Sequence, residues 1–366
     1  MIIGTVKETK AAENRVALSP DVIKNLVKQG FECLVETGAG IASNFSDEAY
    51  SQAGAKIATD AGNVYQSADV LVKVNAPNEA EIAQMKSGSI LISFVYHLSQ
   101  PELVKALNQK SLTVFSMDAI PRISRAQSMD ALSSQANLAG YKAVILGAHH
   151  SARIFPMLMT AAGTITPSKV LICGAGVAGL QAIGTAKRLG AVVEVTDIRP
   201  ETKEQVESLG GKFINFDTGE VKIEGGYVKE TSEDTLKKQR EILSKHLAAA
   251  DIAITTALIP GKKAPVLITE DMVKSMKLGS VIIDMAVEQG GNCELSEAGK
   301  IVVKHGVKIV GELNLPSQLA QNASESYSKN ILAFLTHLAT KDGFKWEMEE
   351  EITKGTLICK DGSILK

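Results

Sequence analysis

The residues most able to do chemistry lie in the stretch KVLICGAGVAGL. Gly174, Gly176 and Gly179 follow a β-branched run directly and open a helical pattern. That spacing is one that cradles phosphates. The first glycine permits a tight turn, the second lets a pyrophosphate reach the backbone, and the third lets helix and strand pack closely. The helix start, with Val177 and Ala178 in its first turn, offers free N–H groups and positive dipole to an anion. The next predicted strand ends at Asp197, 18 residues after Gly179. A carboxylate there is placed for the adenosine ribose hydroxyls and repels a 2′-phosphate, so NAD(H) is expected over NADP(H). Ile198 and Arg199 complete the set, and Arg199 leaves a 2′-phosphate contact open. The bland alternative for these glycines is an ordinary strand-to-helix turn.

A second polar constellation is PRISRAQSMDALSSQANLAGY, residues 121–141. Its Arg, Gln, Asp and Ser residues alternate with small ones, and it precedes a helical segment. Such a loop could supply donors and acceptors to a nicotinamide carboxamide and ribose. Read without that role, it is a solvated loop and a helix cap. No metal site is expected. Cys33, Cys173, Cys293 and Cys359 are far apart with no CxxC pair, and read as reduced cytosolic thiols. His149 and His150 are adjacent, so their side chains diverge by ~100° on a helix. His246, His305 and His337 stand alone. Asp284 ends a strand and reads equally as a nucleotide-facing group or a strand cap.

Elements that could position these residues are visible along the chain. Short β-branched runs alternate with helical patterns, which predicts a parallel α/β architecture. The first half offers strands at 2–6, 31–38, 70–77, 89–95 and 112–119, with helices at 19–30, 46–55 and 101–110. The second half offers six: 169–176, 191–197, 211–217, 251–257, 280–286 and 307–313. Six is the strand count of a dinucleotide-binding fold. The small-residue segment 135–163 reads as a long connecting helix, 229–245 as a solvated helix, and 326–339 as a late helix returning to the first domain. The expectation is two doubly wound, Rossmann-like domains, 1–134 plus 327–366 and 135–326, joined by long helices with a cleft between them.

Length and composition agree. At roughly 150 residues per domain, 366 residues favour two domains. Lys plus Arg (39) nearly balances Asp plus Glu (41), and aromatics are 4%, which argues against a nucleic-acid binder. No apolar run approaches the ~18 residues of a membrane span, and the N-terminus lacks a signal-peptide layout. A cytoplasmic location is expected.

The whole chain resembles the NAD(H)-binding component, domain I, of proton-translocating nicotinamide nucleotide transhydrogenases, which is homologous to alanine dehydrogenase. The resemblance rests on PRISRAQSMDALSSQANLAGY, GAGVAGLQAIGTAKRLGA, GGYVKE, TTALIPGKKAPVLITEDMV and GSVIIDMAVEQGGNC. It implies hydride transfer between NADH held here and NADP(H) on a separate domain, coupled to proton movement in a membrane-spanning partner. It also implies a homodimer and a peripheral place on the cytoplasmic face of the inner membrane. Residue by residue, Arg122 and Gln127 match groups that contact or orient the nicotinamide and its ribose, and Asp130 and Ser133 complete that network. Asp197 matches the ribose carboxylate. Gly226 and Tyr227 match a mobile loop closing over the nucleotide. Thr256, Ala257 and Leu258 match the segment lining the site after the fourth strand.

Two other functions compete. An alanine dehydrogenase needs a cation for the substrate carboxylate and an acid/base. Arg15, Lys73 and His97 stand in matching places, although the segment holding His97 is shorter than its dehydrogenase counterpart and the dehydrogenase lacks the RISRAQSMDALSS loop. A non-catalytic NAD sensor would keep GAGVAGL and Asp197 but would not need the network at 122–133.

Overall fold

The computed structural model describes residues 1–215, 222–224, 227–230, 233–259 and 261–366. It divides into two compact units, Met1–Gln135 with Pro316–Lys366, and Ala136–Leu315.

The first unit is built on an eight-stranded sheet. Six strands are parallel, in the order Thr113–Ser116, Ile90–Phe94, Val70–Asn75, Ile2–Thr5, Glu32–Glu36 and Lys56–Ala58. The chain leaves Ile2–Thr5 in one direction and resumes beside it with Val70–Asn75, so the sheet is doubly wound. Its central strands are almost wholly apolar because helices cover both faces. An antiparallel pair, Leu357–Lys360 and Ser363–Ile364, closes the edge at Thr113–Ser116. Neither this pair nor the three-residue strand Lys56–Ala58 was expected, since such short runs carry little periodicity.

The return into the first unit is anchored by serines. Ser317, Ser324 and Ser328 side chains accept the backbone N–H groups of Asn14, Val16 and Ser19 at 2.7, 2.9 and 2.8 Å. The late helix therefore begins earlier than its apolar pattern, at Ala320, and runs to Leu338. Its inward face carries hydroxyls that satisfy an otherwise unpaired segment of chain.

In the second unit seven strands lie in the order Lys212–Phe213, Val192–Thr196, Lys169–Cys173, Ile252–Thr255, Val281–Asp284, Val307–Gly311 and Lys300–Lys304. The first six are parallel and match the six expected positions. Lys300–Lys304 is an added antiparallel edge, turned at His305–Gly306. Its alternate exposure left no apolar run to read.

The segment 135–163 is not one helix. The helix runs Ala131–His150 and stops. Ser151 Oγ accepts the Arg153 N–H at 3.0 Å, an alternative to the helical ladder, and Pro156 has no N–H to give. A hairpin, Leu158–Thr160 with Gly163–Ile165, follows, and all six of its residues are exposed. The expected solvated helix appears as Glu233–Ala249, with Leu243 and Leu247 buried.

Candidate functional site

The dinucleotide turn forms where strand order reverses, between Lys169–Cys173 and Ile252–Thr255. Gly174 has φ +109°, and its N–H donates to Thr196 O at 2.8 Å. A Cβ there would lie 2.3 Å from Thr256 Oγ1. A Cβ on Gly179 would lie 1.9 Å from Gly174 O, so the helix Val177–Arg188 can approach the strand only with glycine there. Gly176 is different. A Cβ on it would meet only Arg199 Nη2, at 4.0 Å. The space beside the Gly176 backbone is open, which is what an approaching pyrophosphate needs. Gly176 occupies the N-cap, and its side-chain-free position leaves the first-turn N–H groups uncapped. Val177 is exposed and Ala178 half-buried on that first turn.

Asp197 lies at the end of the second strand and is buried. Its Oδ2 accepts the Ala175 N–H at 2.6 Å, which ties the carboxylate to the glycine turn. Arg199 donates Nε to Oδ1 at 2.9 Å and Nη2 to Oδ2 at 2.8 Å. Ile198, between them, is half-buried.

The fourth strand's exit is held by two residues. Thr256 donates its N–H and its hydroxyl to Cys173 O, at 2.9 and 3.2 Å. Ala257 is locked by the buried Asn292, which accepts its N–H at 3.0 Å and donates to its carbonyl at 2.9 Å. Leu258 is exposed. Asp284 proves to be saturated. Its two oxygens accept from Thr255 Oγ1, Ala286 N, Asn292 N, Cys293 N and Ser296 Oγ at 2.6–3.1 Å. It therefore shapes the loop that presents Asn292. Sequence reading missed Asn292, because a lone Asn between Gly291 and Cys293 looks like turn chemistry. Burial, with Asp284 adding, pushes the Cys173 thiol up to about 12, so it stays protonated. Tyr227 opens the strand Tyr227–Glu230, paired with Lys222–Glu224; Gly226 lies outside the described residues.

In the first unit the polar loop forms a 3-10 turn, Ser124–Met129, ahead of the helix Ala131–His150. Ala126 and Met129 are buried, whereas Arg122 and Gln127 are exposed. Asp130 caps the helix: Oδ1 accepts the Ser133 N–H at 2.9 Å and Oδ2 accepts its hydroxyl at 2.5 Å. Asp130 and Ser133 thus meet directly, and the Asp130 N–H donates to Gln127 O at 3.3 Å.

Arg15 and Lys73 are buried and neutralised within the unit. Arg15 donates to both Glu13 oxygens, at 2.8 and 2.6 Å, and to Gln135 Oε1 at 2.8 Å. Lys73 Nζ lies 2.9 Å from Glu81 and 3.6 Å from Glu8. Burial alone would raise the Glu13 carboxyl, but Arg15 and Asn75 outweigh it and hold it at about 2. For Glu8 burial wins over Lys73, and its carboxyl is raised. Burial lowers His97, partly offset by Asp118, and its Nδ1 has no hydrogen-bond partner among the described residues. Among the described residues no cluster of three His, Cys, Asp or Glu could hold a metal, and no helix is long and apolar enough to cross a membrane.

Two doubly wound sheets, with a glycine turn and a strand-end carboxylate on the second, define a protein of the Rossmann-like nucleotide-binding class. The chain belongs to the alanine dehydrogenase/PNT family: the N-terminal domain model matches residues 4–139 and the C-terminal one residues 143–366. It is 55% identical to the first of the chains that make up NAD(P) transhydrogenase subunit alpha in Rhodospirillum rubrum, covering 100% of this chain and 98% of that one. A solved transhydrogenase from Sinorhizobium meliloti superposes with a TM-score of 0.87 at 44% identity, covering 100% and 98%. Alanine dehydrogenase of Bacillus subtilis is 32% identical, covering 100% and 92%.

Proposed function

We propose that this chain is the NAD(H)-binding component of a proton-translocating transhydrogenase, passing hydride directly between NADH and NADP⁺ held on a partner domain. The observation carrying this reading is the 55% identity along essentially both whole chains to a transhydrogenase alpha subunit. The open flank of Gly176 and the strand-end carboxylate of Asp197 suit a bound NAD(H).

In this reading Gly174, Gly176, Val177, Ala178 and Gly179 hold the pyrophosphate, and Asp197, Ile198 and Arg199 hold the adenosine ribose. Thr256, Ala257 and Leu258 line the site, and Gly226 and Tyr227 close it. The bound nicotinamide supplies or receives the hydride. Arg122 and Gln127 orient the carboxamide and ribose, and the Asp130–Ser133 cap fixes the backbone from which Gln127 projects. Catalysis of this kind is positioning and exclusion of water, with no proton to abstract from carbon. The partners are the NADP(H)-binding domain and a membrane-spanning proton-channel subunit, which would keep this chain peripheral on the cytoplasmic face of the inner membrane. Two copies form a homodimer, for which the hairpin Leu158–Ile165 offers Met159, 83% exposed. The domains proposed for these roles are 1–134 with 327–366, and 135–326.

The test mixes the purified chain with a partner NADP(H)-binding domain, NADH and an oxidised NADP analogue. Rapid hydride exchange is expected. No exchange together with NAD-dependent turnover of alanine would overturn the proposal and make Arg15, Lys73 and His97 the working residues.

A further inference from the structure

The polar loop 121–130 is fastened from outside its own sequence, by the C-terminal return segment of the same unit. Asn330, buried on the helix Ala320–Leu338, donates Nδ2 to the Ser128 carbonyl at 2.8 Å. Arg125 Nη2 lies 2.7 Å from Glu350 Oε1 and 3.5 Å from Glu351 Oε2. Glu350 is itself immobilised. Its Oε2 accepts the N–H groups of Ile352 and Thr353 at 2.9 and 2.8 Å, capping the helix Glu351–Thr356, and meets His337 Nε2 at 3.1 Å. The same short helix abuts the loop's start: a Cβ on Gly355 would lie 3.2 Å from Pro121 Cδ.

Fastened and presented positions alternate along the loop. Pro121, Arg125 and Ser128 are held, and Ala126 and Met129 are sunk in the core. Arg122 and Gln127 are exposed among them. An Arg–Glu pair whose Arg side chain is 54% exposed adds little to stability. Here its carboxylate is fixed by three other donors, so the pair's effect is to fix where the Arg125 backbone sits.

We propose that Asn330 and Glu350 are positioning residues for hydride transfer, acting through Ser128 and Arg125 to hold Gln127 and Asp130 in place. The proposal rests on the transhydrogenase reading above. Misplacing a positioning group by about an ångström costs up to ~100-fold in rate, and loss of one of several anchors is expected to cost about tenfold.

The experiment compares Arg125→Ala, Arg125→Lys and Asn330→Ala in single-turnover hydride transfer with a partner NADP(H)-binding domain. NADH affinity and amide hydrogen exchange are measured alongside. Both alanine variants should transfer hydride about tenfold more slowly while NADH affinity moves less than about twofold. Arg125→Lys should recover much of the Arg125→Ala loss, and exchange should quicken at residues 122–130 alone. Normal transfer in both alanine variants overturns the proposal. So does a loss accompanied by faster exchange across the whole first unit, which is a folding defect. If the unaltered chain transfers no hydride, the transhydrogenase reading has failed, and exchange decides the anchor separately: unchanged exchange at 122–130 in both alanine variants refutes it.

Discussion

Arg199 grips Asp197 along both guanidinium edges, at 2.9 and 2.8 Å, while the same carboxylate accepts the Ala175 N–H at 2.6 Å. The residue expected to read the ribose and the residue that left a 2′-phosphate open are thus one unit. Arg199 has a carboxylate partner, so its charge is not standing free for a phosphate.

This makes Asp197→Ala informative in two directions. Hydrogen bonds to a charged group are worth about 1.5–3 kcal/mol, so NADH affinity should fall at least about tenfold. NADPH affinity should fall less or rise, because Arg199 is released. Titration of both nucleotides against the variant checks this, and unchanged NADH affinity refutes the ribose assignment.

Gln127→Asn shortens an exposed side chain on a turn whose backbone is held. Hydride transfer should slow more than NADH binding weakens. Stopped-flow rates set beside equilibrium binding decide it; a large binding loss with normal transfer contradicts the orienting role.

Asp284→Ala would strand five donors in the interior of the second unit. Breaking such a network costs about 3 kcal/mol or more. Urea unfolding should show a lower midpoint, and nucleotide affinity should fall as Asn292 loses its seat. An unshifted midpoint would mean the network is not holding that loop.

Acid should weaken the first unit through Glu13. Its carboxyl is held at about 2 when folded against about 4.5 unfolded, so the folded state binds fewer protons between those values. The stability this contributes is fully present above about pH 4.5 and is lost as pH falls toward 2. Glu13→Gln should flatten that part of the stability profile, read by denaturant titration from about pH 6 to about pH 2. A parallel profile in the variant assigns the acid sensitivity elsewhere.

The exposed hairpin carries the dimer proposal. Met159→Asp should yield monomers in sedimentation at micromolar concentration, with the isolated fold intact by circular dichroism. An unchanged dimer moves the interface away from Met159.

The second sheet was legible strand by strand because each strand is a β-branched run bounded by turn residues, and strand period needs no distant partner. The glycine turn was legible for a related reason: Gly174 and Gly179 are required by backbone approach, a local constraint written in residue type. Lys300–Lys304 escaped notice because an edge strand alternates in exposure, and Leu158–Ile165 because its small and apolar residues fit a helix pattern equally well.

The sequence by itself determined the two doubly wound sheets, the phosphate turn and the strand-end carboxylate, since these follow from short-range spacing. Tertiary structure alone decided that Arg199 closes on Asp197, that Asp284 serves Asn292, and that Glu350 and Asn330 hold the loop bearing Gln127. The last of these joins residues far apart in the chain, 202 positions for Asn330 and Ser128. Nothing in local periodicity encodes such pairings; they arise when burial leaves a polar group that must find whichever partner the fold brings near.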